Sequence, residues 1–238
     1  LAPLALLGRP RLGGRGVPAA SDTIPVFDDW PPRTASFGDI LGLPRDAQGF
    51  AEVFGDGSGG EHSSDWRRRR AGLGFVLLAP GALDPIAGFS SSLAGRVQTA
   101  PRAELSAFLA VLEQIPGTIR YMTDHLALAQ VWSKGVSLHL ASSTSPCNAD
   151  LWTSILEAAG DRVIQTAWIP AHVEARDIRS EEAQRNAVGN ECGDLLAGLG
   201  AQAGEQQRIT NPDTDRRDAE AALVRRRARR ALVASIQA

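Results

Sequence analysis

The sequence predicts an α/β fold: a mixed sheet flanked by helices, with its first three strands antiparallel. Three observations carry this reading. Short apolar, β-prone runs come first and helical periods later, in the order β-β-β-α-β-α-α-β-α. Strands in direct succession read as antiparallel neighbours, and strands separated by helices as parallel ones. No fixed-period repeat runs through the 238 residues, which removes solenoids and propellers.

Residues 1–46 are rich in Pro, Gly and Arg, as in "RPRLGGRGVP" and "DDWPPR". They read as linker or as the end of a preceding domain. The body of the fold is expected over residues 47–203. "GFAEVFGD" is its first strand, and "AGLGFVLLAP" and "IAGFSSSL" form a following hairpin. The period then changes. Leu105, Phe108, Leu109 and Leu112 fall at i, i+3, i+4 and i+7, one apolar helix face. Thr99 suits its N-cap, Pro101 its first turn, and Pro116-Gly117 its end. "TIRYMTD" is a strand, "HLALAQVWSKG" a helix closing on Gly135, and "NADLWTSILEAAG" a helix with Gly160 at its C-cap. "RVIQTAWIP" is the last strand and "VGNECGDLLAGL" the last helix. Trp152 and Trp168 are expected in the core. Residues 204–238 read as a basic C-terminal helix or tail.

A hydrophobic fraction of 43% supports a sizeable core, and a net charge of −2 gives no bulk argument for a nucleic-acid partner. Local charge differs: Arg67 to Arg70 form one basic run, and Arg225, Arg226, Arg227, Arg229 and Arg230 a second. Cys147 and Cys192 are the only cysteines. They make neither a disulfide framework nor a zinc knuckle, so an intracellular setting is expected, cytoplasmic or nuclear. "LAPLALLGRP" lacks the basic segment of a signal peptide. No run is long enough to span a bilayer, so no membrane partner is expected. The chain starts at Leu and is expected to be a piece of a longer product.

Four carboxylates fall at element ends or on helix faces. Asp56, in "VFGDGSGG", ends the first strand, and Glu104 lies four residues before Phe108 on the apolar helix face. Asp124 ends the fourth strand. Asp194 lies on the last helix, with Glu191 three residues earlier on the same face. Taken singly, each has an ordinary reading: a turn, a helix N-terminal acid, an N-cap and a solvated face. Together they ask for more. Strand ends about 4.8 Å apart bring Asp56 and Asp124 side by side, and the two helices can close Glu104 and Asp194 over them. Carboxylates so gathered repel one another, and a divalent cation is the usual resolution. Gly57 and Gly59 leave room beside Asp56 for a substrate backbone, with Ser58 as a donor.

With these stretches, "QTAPRAELSAFLAVLE", "YMTDHLALAQVW", "WIPAH" and "GNECGDLLAG" appear in order over roughly residues 48–200. In this the chain resembles a ribonuclease H domain of the type 1 and retroelement reverse-transcriptase branch. The resemblance implies a five-stranded mixed sheet with flanking helices. It implies cleavage of the RNA strand of an RNA–DNA hybrid with two Mg²⁺ ions, Mn²⁺ being the alternative. The family's acidic set falls on Asp56, Glu104, Asp124 and Asp194, and its mobile catalytic histidine on His172. "TAPRAEL" is nearest the retroelement branch, which implies a polyprotein and a reverse transcriptase domain as neighbour.

Several readings stay open. His172 is a solvated loop histidine or a proton shuttle. Thr99 and Arg102 form a phosphate pocket, or only a cap and a surface charge. The chain departs from the family pattern at His125, where Ser is usual, and at Ala100 and Pro101. "EARDIRSEEAQRNAV" reads as an insertion after His172, and "SLHLASSTSP" stands where a basic gripping helix is usual. The C-terminal arginines could supply the missing charge toward phosphates. The alternative function is a weak or inactive nucleic-acid-binding module on the same fold.

Overall fold

The first strand lies inside the expected linker. Thr34–Phe37 forms β1, fully exposed and only four residues long. It pairs antiparallel with β4 (Pro85–Ser92). Arg33 N donates to Ser92 Oγ at 2.9 Å, and Ser92 N returns to Arg33 O at 3.0 Å. The sheet therefore has six strands rather than five. β1 carries no buried side chain, so it leaves no alternating apolar signal to read.

A computed structural model describes residues 32–64, 69–141, 147–173 and 178–209. The linker to Pro31, Arg67, Arg68 and the basic tail from Thr210 lie outside the described residues, as do residues 174–177 of the apparent insertion. The other elements follow in order. They are β2 (Ala51–Ser58), β3 (Gly72–Leu78), α1 (Ala100–Gln114), β5 (Ile119–Thr123) and α2 (Leu126–Lys134). After these come α3 (Val136–Ala141), α4 (Ala149–Ala159), β6 (Ile164–Trp168) and α5 (Glu181–Ile209). The strands lie in the order β1-β4-β3-β2-β5-β6. β2, β3 and β4 are antiparallel, whereas β5 runs parallel to both β2 and β6. Among the described residues no helix is long and apolar enough to cross a membrane.

Two apolar layers sandwich the sheet. Alternation along β2 sends Val53 to one face and Phe54 to the other. On the first face Val53, Phe75, Phe108, Ile119 and Tyr121 form a core with α1 and α4. On the second, Phe54, Val76, Leu78, Met122 and Ile169 pack with Val188, Cys192 and Leu196 of α5. Phe108 stacks near Tyr121, with ring centroids 4.6 Å apart, and meets the Trp132 edge at 5.1 Å.

α5 begins well before the expected last helix. Most of the apparent insertion is its first turns. Ser180 starts it: Ala183 N donates to Ser180 Oγ at 3.0 Å, and Glu181 and Glu182 sit in the first turn, where the helix dipole favours acids. Arg185 then ties α5 to the sheet, pairing with Glu52 at 2.6 Å and donating to the Ala79 carbonyl at 2.8 Å.

Further along, α5 approaches the sheet through small residues. A Cβ at Gly189 would collide with the Phe54 ring, and one at Gly200 with the Ser91 backbone. Across the contact, a Cβ at Gly72 or Gly74 would strike the α5 backbone near Ala201 or Ala197. Gly198 faces no neighbour. The two positions should therefore respond in opposite directions. Gly200→Ala should cost about 1–3 kcal/mol by overpacking. Gly198→Ala should gain up to about 1 kcal/mol from helix propensity. Urea unfolding of the two variants checks the sign of each.

Candidate active site

β2 is the strand at which the sheet changes direction. It pairs antiparallel with β3 and parallel with β5, and the parallel pairing ends at Phe54↔Met122. Asp56 and Asp124 each lie two residues past that last pair. The strand ends at such a switch point are where open α/β sheets build sites.

α1 is brought against this point by Gly57. A side chain there would collide with the Glu104 amide nitrogen, so only glycine lets the first turn of α1 reach the end of β2. Thr99 caps that turn, its hydroxyl accepting from Arg102 N at 3.4 Å. Asp56 and Glu104 are both buried, each 7% exposed. One oxygen from each of Asp56, Glu104 and Asp124 lies within 4.8 Å of the others. Asp56 Oδ1 accepts from Gly57 N at 2.6 Å. Asp124 is half-buried; its Oδ2 accepts from Asn190 Nδ2 at 3.3 Å, and its carbonyl accepts from the Trp168 indole at 3.0 Å. Glu104 Oε2 is buried without a partner.

The crowding shows in the titration of the two buried acids. Burial, followed by the Asp56 charge, holds Glu104 well above the ordinary carboxylate range. Burial also raises Asp56, opposed by its hydrogen bond with Glu104 and reinforced by the charges of Asp124 and Asp194. His125, beside Asp124, is lowered by burial, against the pull of the Asp124 charge.

The remaining candidates are distributed around this centre. Asp194 is exposed on α5 and stands outside the three-oxygen cluster. The residue before it, Gly193, faces Asp56: a Cβ there would lie 3.5 Å from Asp56 Cβ. Asp194 lines a cavity of about 550 Å³ with His172, Glu191 and Asn190. His172 is exposed and adopts a left-handed backbone, φ 46°, an uncommon state for a residue with a Cβ. Ser58 Oγ accepts from Gly60 N at 3.2 Å. Arg102 is engaged elsewhere: its guanidinium pairs with Asp150 and donates to Asn148 Oδ1 at 3.2 Å.

Two residues of the site escape a reading of the sequence. Asn190 is buried at 6% exposure and holds Asp124; the available signal is its place four residues before Asp194, on the same helix face. Trp168, expected in the core, is 50% exposed. It ends β6, the edge strand, and its indole is turned to the Asp124 carbonyl rather than inward.

The ribonuclease H family profile matches residues 50–202. No curated protein sequence matches the chain. Among solved structures, the RNase H domain of PFV is similar at a TM-score of 0.50 and 22% identity, covering 66% of this chain and 98% of that one. LC9-RNase H1, a type 1 RNase H with the type 2 active-site motif, is similar at 0.48 and 15%, covering 74% and 86%. The foamy viral protease-reverse transcriptase in complex with RNA/DNA hybrid is similar at 0.49 and 21%, covering 63% of this chain and 20% of that one. The chain belongs to the ribonuclease H family. It is a hydrolase of the ribonuclease H class.

The raised acids give a pH signature. With pKa values above the unfolded range near 4, Asp56 and Glu104 keep protons in the metal-free fold that the unfolded chain has released. Their contribution to stability is full below about pH 4 and is lost as pH rises through the folded values. Melting of the metal-free protein should therefore fall, as pH rises above about 4, more steeply in the wild type than in Glu104→Gln. Equal slopes in the two proteins would contradict the assignment.

Proposed function

We propose that this chain cleaves the RNA strand of RNA–DNA hybrids at the Asp56–Glu104–Asp124 centre, with Asp194 and His172 at its mouth. The observation that carries the reading is the buried, unpartnered Glu104 oxygen beside two more carboxylates within 4.8 Å. Buried like charges of this kind are relieved by a retained proton or by a bound cation, and the cation is the one that gives the cluster a use. Oxygen-only donors suit Mg²⁺, with Mn²⁺ as the alternative. Asp56, Glu104, Asp124 and Asp194 would hold two such ions. When bound, the ions lower the pKa of the attacking water and neutralise charge on the leaving 3′ oxygen.

The chain's own groups do the rest. Asn190 fixes the Asp124 carboxylate from α5, and Gly57, whose Cβ position is taken by the α1 backbone rather than left open to substrate, lets α1 carry Glu104 against the end of β2. Ser58 offers a hydroxyl to the RNA backbone. Thr99, with Arg102 released from Asp150, would take a neighbouring phosphate at the start of α1. His172, Asp194 and Glu191 line one cavity; there His172 would move a proton or help product leave, and Glu191 would add negative charge. Selectivity for the hybrid would come from 2′-hydroxyl contacts and groove shape rather than base sequence. The "TAPRAEL" stretch supports a retroelement polyprotein with a reverse transcriptase neighbour. A weak or inactive nucleic-acid-binding module is the second reading, motivated by the departures at His125, Ala100 and Pro101.

A labelled hybrid incubated with Mg²⁺ separates the two readings. The wild type should cut the RNA strand and spare duplex DNA, and Asp56→Asn should lose about a hundredfold or more in rate. Cutting by Asp56→Asn equal to wild type would refute the proposed centre. Tight hybrid binding by a wild type that does not cut would favour the second reading.

A further inference from the structure

Tyr121 stands in β5, three residues before Asp124, and is fully buried at 0% exposure. Its hydroxyl has no hydrogen-bond partner. An unpartnered buried hydroxyl costs about 1–3 kcal/mol. Its ring lies among Phe108, Ile119 and Val53, where phenylalanine would fill the same space. Packing therefore accounts for the ring and leaves the oxygen unexplained.

The glycines of β2 show where that oxygen points. The ring rests on Phe108, which is buried on α1 four residues after Glu104 and so on the same helix face. The hydroxyl lies over Gly55, where a Cβ would collide with it. Gly57, two residues on and on the same face of β2, lies beneath the Glu104 amide. Gly55 and Gly57 thus form a trough, with the phenol over one end and the α1 backbone at Glu104 over the other. The Glu104 charge is the nearest in effect on the phenol, ahead of Asp56 and Asp124; together with burial it pushes the Tyr121 hydroxyl well above its ordinary value.

A donor and an acceptor on the two residues that flank this trough both lack partners: the Tyr121 hydroxyl and Glu104 Oε2. We infer that Tyr121 is a positioning residue for Glu104, its hydroxyl set to donate to Oε2 when a cation draws that carboxylate into the cluster, and so fixing the oxygen that Glu104 presents there. Outer partners of this kind orient a ligating carboxylate, and their loss lowers metal affinity or activity by about 10–100-fold. The role rests on the reading of Glu104 as a cation ligand.

Tyr121→Phe keeps the ring and removes only the oxygen. Three measurements on the full chain test it: Mg²⁺ binding by calorimetry, the Mg²⁺ dependence of hybrid cleavage, and the melting temperature without metal. Mg²⁺ affinity should fall about tenfold, and half-saturating Mg²⁺ for cleavage should rise in step. The KM for hybrid should not change. The metal-free melting temperature should hold or rise, because the variant buries no hydroxyl. A variant that binds Mg²⁺ as the wild type does overturns the Tyr121 role and leaves the Glu104 reading standing. A wild type that binds no Mg²⁺ overturns both.

Discussion

Mutual repulsion among three carboxylates is the constraint around which this fold is organised. Asp56, Glu104 and Asp124 are drawn within 4.8 Å of one another, two of them almost wholly buried. Isolated charges so placed are strongly disfavoured. Their gathering is enforced from three sides. The sheet changes from antiparallel to parallel at β2 and stops pairing just before both aspartates. Gly57 lets α1 bring Glu104 in from one face. The small residues of α5 bring Asn190 and Gly193 in from the other. Without a cation, burial first and the neighbouring carboxylates next raise Asp56 and Glu104 above the ordinary carboxylate range. The rigidity of this cage is what would turn a stray charge cluster into a selective site.

Much of this was legible in the sequence, for local reasons. Asp56, Glu104 and Asp124 each sit where a strand or helix changes, and the changes are marked by Gly, Pro and a capping Thr. The layer order followed from the shift between period 2 and period 3.6. What escaped depends on partners far along the chain. β1 is four exposed residues that become a strand only because β4 offers an edge. The head of α5 reads as a polar insertion, and the Ser180 cap with its two following acids is visible only once a helix is suspected. Trp168 is apolar enough for a core, yet its place on the edge strand leaves it half exposed. Asn190 and Tyr121 act through contacts across 66 residues and through a trough of glycines, which no local pattern encodes.

The Arg102 guanidinium is spent on Asp150 and Asn148, joining the start of α1 to that of α4. This stiffens the helix that carries Glu104, at the expense of a free cation near the site. A pair this exposed on the Asp150 side contributes little stability of its own, so an arriving phosphate could displace the carboxylate at small cost. Trp168, held by the Asp124 carbonyl, presents its remaining ring surface to solvent beside the centre. Such a ring suits stacking or sugar contact.

Anomalous diffraction from crystals soaked in Mn²⁺ tests the central claim most directly. The account places Mn²⁺ among the carboxylates of Asp56, Glu104 and Asp124, with Glu104 Oε1 or Oε2 in its coordination shell at about 2.0–2.2 Å, an approximate hard-cation distance. A saturating soak whose only peaks lie elsewhere, with the three carboxylates still within 4.8 Å, would contradict it.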